Sequence, residues 1–449
     1  MNQKEPVPID QAFGLLRAEQ EPWLGSVYFP PAHPAALTVP RSTLISGERG
    51  SGKSALLLWL SLKAREQKYL PVFWRWDPFT WSDEIPLETQ KHLLSTLLFE
   101  LARTLFVEIG CNQENWGKLL PTTRQWFLYF FAHHLSSHSE WSVTIPQALM
   151  SSAENLLAEV QKTTLPGWGA ALSPLAELGY LIPALTQAGY QGVVVLIEDI
   201  AIALESAPHL KRFCTDFLAF VALFDIPGLY FKIAADESLH DLASHSPVVT
   251  RRRVELYRLQ WSESALEAMV NRRLELALGQ NTTLADLYKR EALIRWLATT
   301  GGHTPQGWLE ALAPLVFELE EKRQTGAPLS PLSSAAWREF RLRHLPALHY
   351  DATEGSVTLG WRKTFLSPGE DALFQHLWDR RGKLCSREEL YQVYSQRIYG
   401  VQDENYYPSD YRAMLDTALY RLREAIEPDP EDPILIITRR GKGIYLTDR

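Results

Sequence analysis

The sequence predicts an α/β protein. It reads as a parallel sheet with helices on both faces, a helical insertion and a helical appendage, followed by a small α+β domain. Three observations predict this. A β-prone run, Ser42–Ser46, passes through a glycine-rich turn into a helical run from Lys53 to about Glu66. A near-continuous apolar run, Gly192–Ile197, has the composition of a strand buried on both faces, as parallel sheets require. From about Leu348 onward, short β-prone stretches flank three segments with helical start and stop signals. A chain of 449 residues has room for roughly three domains.

Composition sets the outer limits. Hydrophobic residues make up 46% and charged ones 22%, which excludes a disordered chain. The net charge of −8 excludes a uniformly basic nucleic-acid coat, but leaves room for a local basic surface. Cys111, Cys214 and Cys385 are too few and too scattered for a disulfide scaffold or a zinc cage, and imply a reducing, cytoplasmic setting. Met1–Pro8 lacks the apolar core of a signal peptide, and no run approaches 18 apolar residues, so no membrane partner is expected. His133, His134 and His138 match no metal-ligand spacing and read as a plain helix surface.

In chain order, residues 1–40 carry seven prolines and read as an extended N-terminal arm, with a short helix around Ala12–Glu19. Residues 41–260 form the core, with strands at Ser42–Ser46, Tyr69–Trp76, Gly192–Ile197, Leu229–Ala234 and Val254–Leu259. Residues 86–190 lack long β-branched runs and read as a helical insertion, with helices at Leu87–Ile109, Thr122–Ser136 and Ile145–Lys162. Trp126, Phe127, Tyr129, Phe130 and Phe131 within it read as core packing. The insertion is a candidate sensor. Residues 261–324 are helical again, and 325–345, rich in Pro, Ser and Gly at its start, reads as a linker. Residues 346–449 form the last domain.

Gly47-Glu48-Arg49-Gly50-Ser51-Gly52-Lys53-Ser54 fits G-x-x-x-x-G-K-[ST], between a strand and a helix as this motif requires. Gly47, Gly50, Ser51 and Gly52 would let main-chain N–H groups turn toward phosphates, with the positive end of the following helix behind them. Lys53 would reach the β- and γ-phosphates, and the Ser54 hydroxyl would ligate Mg²⁺. The cofactors expected are therefore ATP and Mg²⁺. Glu198-Asp199, directly after the apolar strand, supplies two carboxylates: by position Glu198 serves the metal and Asp199 the attacking water. The order is reversed from the usual Asp-first pair, which points to slow ATP hydrolysis.

On these residues the chain resembles the P-loop NTPases of the AAA+ and STAND group, including origin-recognition-like ATPases, over roughly residues 10–320. The resemblance makes Ala234-Ala235-Asp236 the sensor strand end. It makes Arg251, Arg252 and Arg253, ahead of the strand Val254–Leu259, candidates for a cation that reaches a neighbouring subunit's nucleotide, and so implies a homo-oligomer when ATP is bound. It reads 261–324 as a lid, with its turn at Gly301-Gly302-His303-Thr304-Pro305 followed by Gln306 where the group often has arginine, which favours a switch over a motor.

At the C-terminal end, Ser367 and Pro368 open a helix that Gly382 closes, and Ser386-Arg387-Glu388-Glu389 opens a second. A third helix runs from about Asp410 to Ile426. Ile434–Thr438 and Ile444–Thr447 flank Arg439-Arg440-Gly441-Lys442-Gly443, a hairpin with a basic tip. With Leu366–Glu370, Leu415-Asp416 through Arg423 and Glu427-Pro428-Asp429-Pro430, this segment resembles the OmpR/PhoB-type winged helix-turn-helix DNA-binding domain. The resemblance implies double-stranded DNA as a partner. It places Arg421 at a base-reading position, Arg412, Tyr420 and Arg423 at backbone or auxiliary contacts, and Arg440 at the minor groove between Thr438, Arg439 and Lys442. Ala418 stands where the family often has a polar or basic residue, and acidic residues slightly outnumber basic ones over Tyr350–Arg449.

No receiver module precedes the winged helix, so the expected function is an ATP-binding transcriptional regulator in which the NTPase is the input. The alternative is a defence or mobile-element ATPase that uses the winged helix to bind DNA or a protein partner. A chromosome-maintenance loader is a third reading, disfavoured by the OmpR-type wing.

Overall fold

The computed structural model describes residues 7–13, 24–28, 34–74, 89–135, 149–163, 173–200, 208–279, 281–324, 330–400 and 407–448. The chain divides into two compact units, residues 18–260 and residues 1–17 with 261–449.

Residues 18–260 are built on a parallel sheet of β1 (Ser42–Ser46), β2 (Tyr69–Trp74), β3 (Gly192–Ile200), β4 (Leu229–Ala235) and β5 (Val254–Arg258), in the order β2-β3-β4-β1-β5. Side chains alternate across it. Leu44, Val193, Val195, Ile197, Phe231, Ile233 and Ala235 share one core. Ile45, Val194, Leu196 and Ala234 share the other, with Leu56, Leu57, Leu60 and Ala64 of α1 (Lys53–Glu66). Apolar runs read as doubly buried strands therefore lie between two helical layers.

The first face is covered by α2 (Thr89–Leu105), α3 (Pro121–Leu135), α4 (Met150–Lys162), α5 (Pro174–Gln187) and α6 (Pro208–Ala219). Leu97 and Leu101 of α2, Phe127, Phe130 and Phe131 of α3, Leu156 of α4, Leu181 of α5 and Phe217 of α6 all belong to the same core as β3 and β4. Residues 86–190, read as an insertion, thus supply the sheet's own cover, because an apolar sheet face must be buried against another layer. The aromatics of α3 pack there as the sequence suggests, with Trp126 and Phe130 stacked at 5.1 Å. α5 is absent from the sequence reading, since Gly179 and an internal Pro183 interrupt its helical pattern.

In the first unit α7 (Glu237–Ser244) lies between β4 and β5; in the second, the helices include α8 (Glu263–Leu278), α9 (Arg290–Gly301) and α10 (Pro305–Gln324). Ser262 caps α8 by accepting from the Ala265 N–H. Gly301 and Gly307 meet so closely that a Cβ on Gly307 would lie 1.9 Å from the Gly301 carbonyl oxygen, so the Gly301–Pro305 turn is a packing device between α9 and α10. Residues 7–13 of the expected arm dock on α8: the Val7 N–H donates to the Leu276 carbonyl and Arg273 Nη1 to the Ala12 carbonyl. Most of the short helix read at Ala12–Glu19 lies outside the described residues.

The span 325–345, read as a linker, contains a buried helix, α11 (Ser334–Arg343), capped by Ser333. Trp337 stacks on Tyr288 and Phe340 and meets the edge of Trp296 of α9. On its other side Arg341, 0% exposed, donates to the Asp432 carbonyl at 3.0 Å and to the Asp432 carboxylate, which Arg338 also reaches. Composition at 325–334 signals a tether, but the signal stops at the Ser333 cap.

The last domain starts with an antiparallel sheet, β6 (Leu348–Asp351), β7 (Ser356–Leu359) and β8 (Arg362–Phe365). Then come α12 (Pro368–Asp379), α13 (Arg387–Tyr399) and α14 (Tyr411–Ile426), and the hairpin β9 (Ile436–Arg439) and β10 (Gly443–Leu446). Capping boxes start α12 (Ser367 with Glu370) and α13 (Ser386 with Glu389). This is a winged helix, and the fold as a whole is a P-loop-type parallel sheet with helical additions and a C-terminal α+β winged helix.

Removing one partner of the Arg341–Asp432 pair strands a buried charge. Asp432→Ala is expected to cost about 3 kcal/mol, whereas Arg341→Met with Asp432→Ala recovers most of the loss. Urea unfolding midpoints of the two variants check this; equal losses in both would contradict it.

Candidate functional sites: phosphate loop, acidic strand end and basic hairpin

The predicted phosphate loop joins β1 to α1. Its start is pinned by the Gly47 N–H, which donates to the Ala235 carbonyl of β4. Gly50 (φ 80°) and Gly52 (φ 84°) are left-handed, a conformation that side chains resist, and these two reversals curl the loop. Gly52 takes the N-cap position of α1 without any side-chain cap, so no side chain covers the first N–H groups of the helix. Lys53 is buried, and its Nζ donates to the carbonyls of Gly47 (2.9 Å) and Glu48 (3.0 Å), which sets the ammonium inside the curl. Ser51 is buried and Ser54 half-buried beside it. The donor set is that of an anion cradle: N–H groups, one ammonium and a hydroxyl.

Glu198 and Asp199 lie near the end of β3, with β4 between them and β1. Two strand spacings amount to about 9–10 Å, a gap that a hydrated divalent ion spans. Glu198 is half-buried and follows the parity of Val194 and Leu196, which pack on the α1 side. The register between β3 and β4 shifts between Ile197 and Ile200, so the acidic pair occupies a bulge. Bulges re-aim side chains next to sites. Asp236, at the sensor strand end, is used as the N-cap of α7, accepting from the Ser238 N–H. His240 of α7 is missed by sequence reasoning: its Nδ1 lies 2.8 Å from Ser46 Oγ, the residue before the loop. No local signal marks it, because the contact spans 194 residues.

Arg251, Arg252 and Arg253 sit ahead of β5, at the opposite strand ends from the loop. Ser42, the first residue of β1, pairs with Val254, whereas the loop leaves β1 at its far end. All three arginines are exposed. Arg253 Nε pairs with Asp225 at 2.5 Å, and Arg252 is left-handed (φ 57°). With the length of β1 between them and the loop, they do not join the residues of their own phosphate site.

In the winged helix, Arg412, Tyr420 and Arg421 of α14 are exposed, as are Arg439, Arg440 and Lys442 at the hairpin tip. Arg412 lies over the Tyr411 ring and Arg439 over the Tyr445 ring. Arg423 is placed differently from its expected backbone-contact role. Its Nε and Nη2 donate to the Ile436 carbonyl (3.1 and 3.0 Å) and Nη2 to the Thr438 hydroxyl at 2.7 Å, so Arg423 and Thr438 hold the wing to α14. Ala418 is buried in the domain core, so its lack of charge is a packing requirement and leaves the exposed face unchanged. That face also carries Asp416, paired with Arg387, and Glu424.

Glu427, at the end of α14, is the other wing anchor. Its buried carboxylate accepts from the N–H groups of Ile434, Leu435 and Ile436 at 2.7–3.1 Å. Burial outweighs these bonds and pushes its pKa up to about 7.

Comparison with known proteins matches residues 362–446 to the family described as transcriptional regulatory protein, C terminal. Among solved structures, the chain is similar to the C-terminal DNA-binding domain of RstA from Klebsiella pneumoniae, with 26% identity, 23% of this chain and 86% of that chain covered, and a TM-score of 0.19. It is also similar to the Aeropyrum pernix ORC1 protein in complex with DNA (12% identity, 94% and 92% covered, TM-score 0.33) and to the Aeropyrum pernix ORC2 protein (11%, 98% and 93%, 0.32). Among the described residues no helix is long and apolar enough to cross a membrane.

A carboxyl group with a raised folded pKa adds stability below its unfolded value, near pH 4.5, that is lost as pH climbs through about 7. Glu427→Gln, which replaces one of the two acceptor oxygens facing three N–H groups with a donor NH₂, is expected to be less stable by about 2 kcal/mol at low pH and to show a flatter fall between pH 4.5 and 7. Unfolding midpoints across that range check both; parallel pH profiles for wild type and variant would contradict the assignment.

Proposed function

We propose that the protein is an ATP-binding, DNA-binding transcriptional regulator in which the nucleotide state of the P-loop core controls the C-terminal winged helix. The observation that carries this reading is the combination, in one chain, of a curled phosphate loop enclosing Lys53 and a winged helix whose residues match the transcriptional regulatory family. The loop N–H groups of Gly47–Lys53 and the Lys53 ammonium would hold the phosphates; Ser54 and Glu198 would hold Mg²⁺, and Asp199 would orient the attacking water. Bound ATP would supply the charge that separates two conformational states, and control of the reader requires only that the states differ in DNA affinity. The reversed Glu198-Asp199 order, within a bulge, favours slow turnover and hence a switch. Arg251 and Arg252, exposed and distant from their own loop, suit a contact in trans between subunits. Arg421 would read a base edge in the major groove, and Arg440 with Lys442 would approach the minor groove.

A second reading, a defence or mobile-element ATPase whose winged helix docks on DNA of any sequence or on a protein, is favoured by the carboxylates of Asp416 and Glu424 on the exposed face of α14. Selection from a random-sequence DNA pool at physiological salt, with and without ATP–Mg²⁺, separates the two. An enriched motif that depends on ATP is the expected result; no enrichment in either state overturns the regulator.

Two substitutions sharpen the test. Lys53→Ala is expected to lower ATP affinity at least about 100-fold, the scale of losing a buried ammonium from a phosphate cradle, while the wild-type fold is retained. Isothermal titration with ATP–Mg²⁺ measures it, and unchanged affinity removes the nucleotide site. Arg421→Ala is expected to weaken the selected site by about 1–3 kcal/mol and to relax preference at a single base pair. Uniform weakening across sequences would make Arg421 a phosphate contact instead.

A further inference from the structure

We propose that His133, His134 and Glu177 hold a divalent transition-metal ion of the zinc type, in a site independent of the nucleotide and DNA reading above. The three side chains come from two helices of the cover layer: the histidines close α3, and Glu177 stands in the first turn of α5. One ligand atom from each converges within 4.8 Å of the others. His134 Nε2 is 2.7 Å from Glu177 Oε2, and His133 Nδ1 is 3.3 Å from Glu177 Oε1. The two imidazole rings stack, centroids 4.5 Å apart, so both nitrogens face the same carboxylate.

The carboxylate is the informative group. Glu177 is 2% exposed, and its Oε1 accepts no hydrogen bond. A buried carboxylate oxygen without a donor is costly, and the nearest nitrogen, on His133, does not satisfy it. A cation shared by Oε1 and the two imidazoles does. Two imidazoles and one carboxylate form a ligand set that suits Zn²⁺ and its neighbours and disfavours Mg²⁺ or Ca²⁺, which prefer oxygen alone. His133 is half-exposed, which leaves water access for a fourth ligand. The Tyr129 hydroxyl, 3.4 Å from His133 Nδ1, lies just outside this set.

The other His/Cys/Glu group, His376 with Cys385 and Glu389, makes a useful contrast. Its carboxylate is already engaged by Arg380, by His376 and by the Ser386 N–H of the capping box. A cation has nothing left to satisfy there.

An ion at Glu177 would cross-link α3 to α5, and α5 runs through Ala188–Gln191 into β3, the strand that ends in the acidic pair. The site thus ties the cover layer to the strand beneath it.

The test uses the full chain, stripped with a chelator and returned to chelator-free buffer. Zn²⁺ is titrated against a chromophoric competitor, and Co²⁺ binding is followed by its visible absorption. One equivalent is expected, with affinity reduced at least about 100-fold by Glu177→Gln and at least about tenfold by His133→Ala, as for loss of a ligand from a site of few ligands. Zn²⁺ should also raise the melting temperature of the wild type and leave Glu177→Gln unmoved. The half-exposed His133 keeps the test valid if Glu177→Gln folds poorly. Absence of a one-equivalent site, unchanged affinity in the variants, or binding abolished by Cys385→Ser instead would each overturn the proposal.

Discussion

The junction between the helices of residues 261–324 and the winged helix depends on one buried guanidinium. Arg341 is fully enclosed, its cation lying over the Trp337 ring, and it meets Asp432 through both carbonyl and carboxylate. Desolvation pulls its pKa down against the pull of Asp432, and such a charge tolerates burial only while its partner stays in place. α11 therefore cannot swing away from the loop that carries Asp432. Its other face, Trp337 and Phe340, is packed on Trp296 of α9. A second seam reinforces this one: the Trp361 N–H of the β7–β8 turn donates to the Thr299 carbonyl, and its ring lies where a Cβ on Gly302 would sit. Residues 261–324 and the winged helix belong to one compact unit, and α11 packs against both.

Much of the first unit is written locally. The strand, loop and first helix follow from a short run of residues, because left-handed glycines and a helix start are properties of adjacent positions. The capping boxes at Ser367 and Ser386 are legible for the same reason: the cap and its reciprocal carboxylate are three residues apart. The basic hairpin is legible from its turn composition. In each case the interaction that decides the structure has short sequence separation.

What is not legible arises at long range. A Pro/Ser/Gly stretch suggests a tether up to Ser333, and only Asp432, 91 residues beyond Arg341, converts the next ten residues into a buried strut. The resemblance makes Arg423 a backbone or auxiliary DNA contact, yet at about 100° per residue it points well away from Arg421 and meets the wing, where Ile436 and Thr438 take its donors. Ala418 appears as a missing charge until the core claims it. His133 and His134 lack a recognisable metal spacing because the third ligand arrives from 43 residues away on a helix that Pro183 hides.

The loop is held through the two strands that flank β1. Gly47 packs against Leu259: a Cβ at Gly47 would lie 3.2 Å from the Leu259 Cβ, and the Leu259 N–H donates to the Ser46 carbonyl. Leu259 directly follows β5, three residues before Ser262, the cap that starts α8. On the other side of β1, the His240–Ser46 contact and the Gly47–Ala235 bond tie the loop to β4 and its helix. The loop is clamped by both neighbours of its own strand, while the acidic pair lies one strand further away in a bulge. The loop is thus fixed on both sides of its own strand, and β4 separates it from the acidic pair.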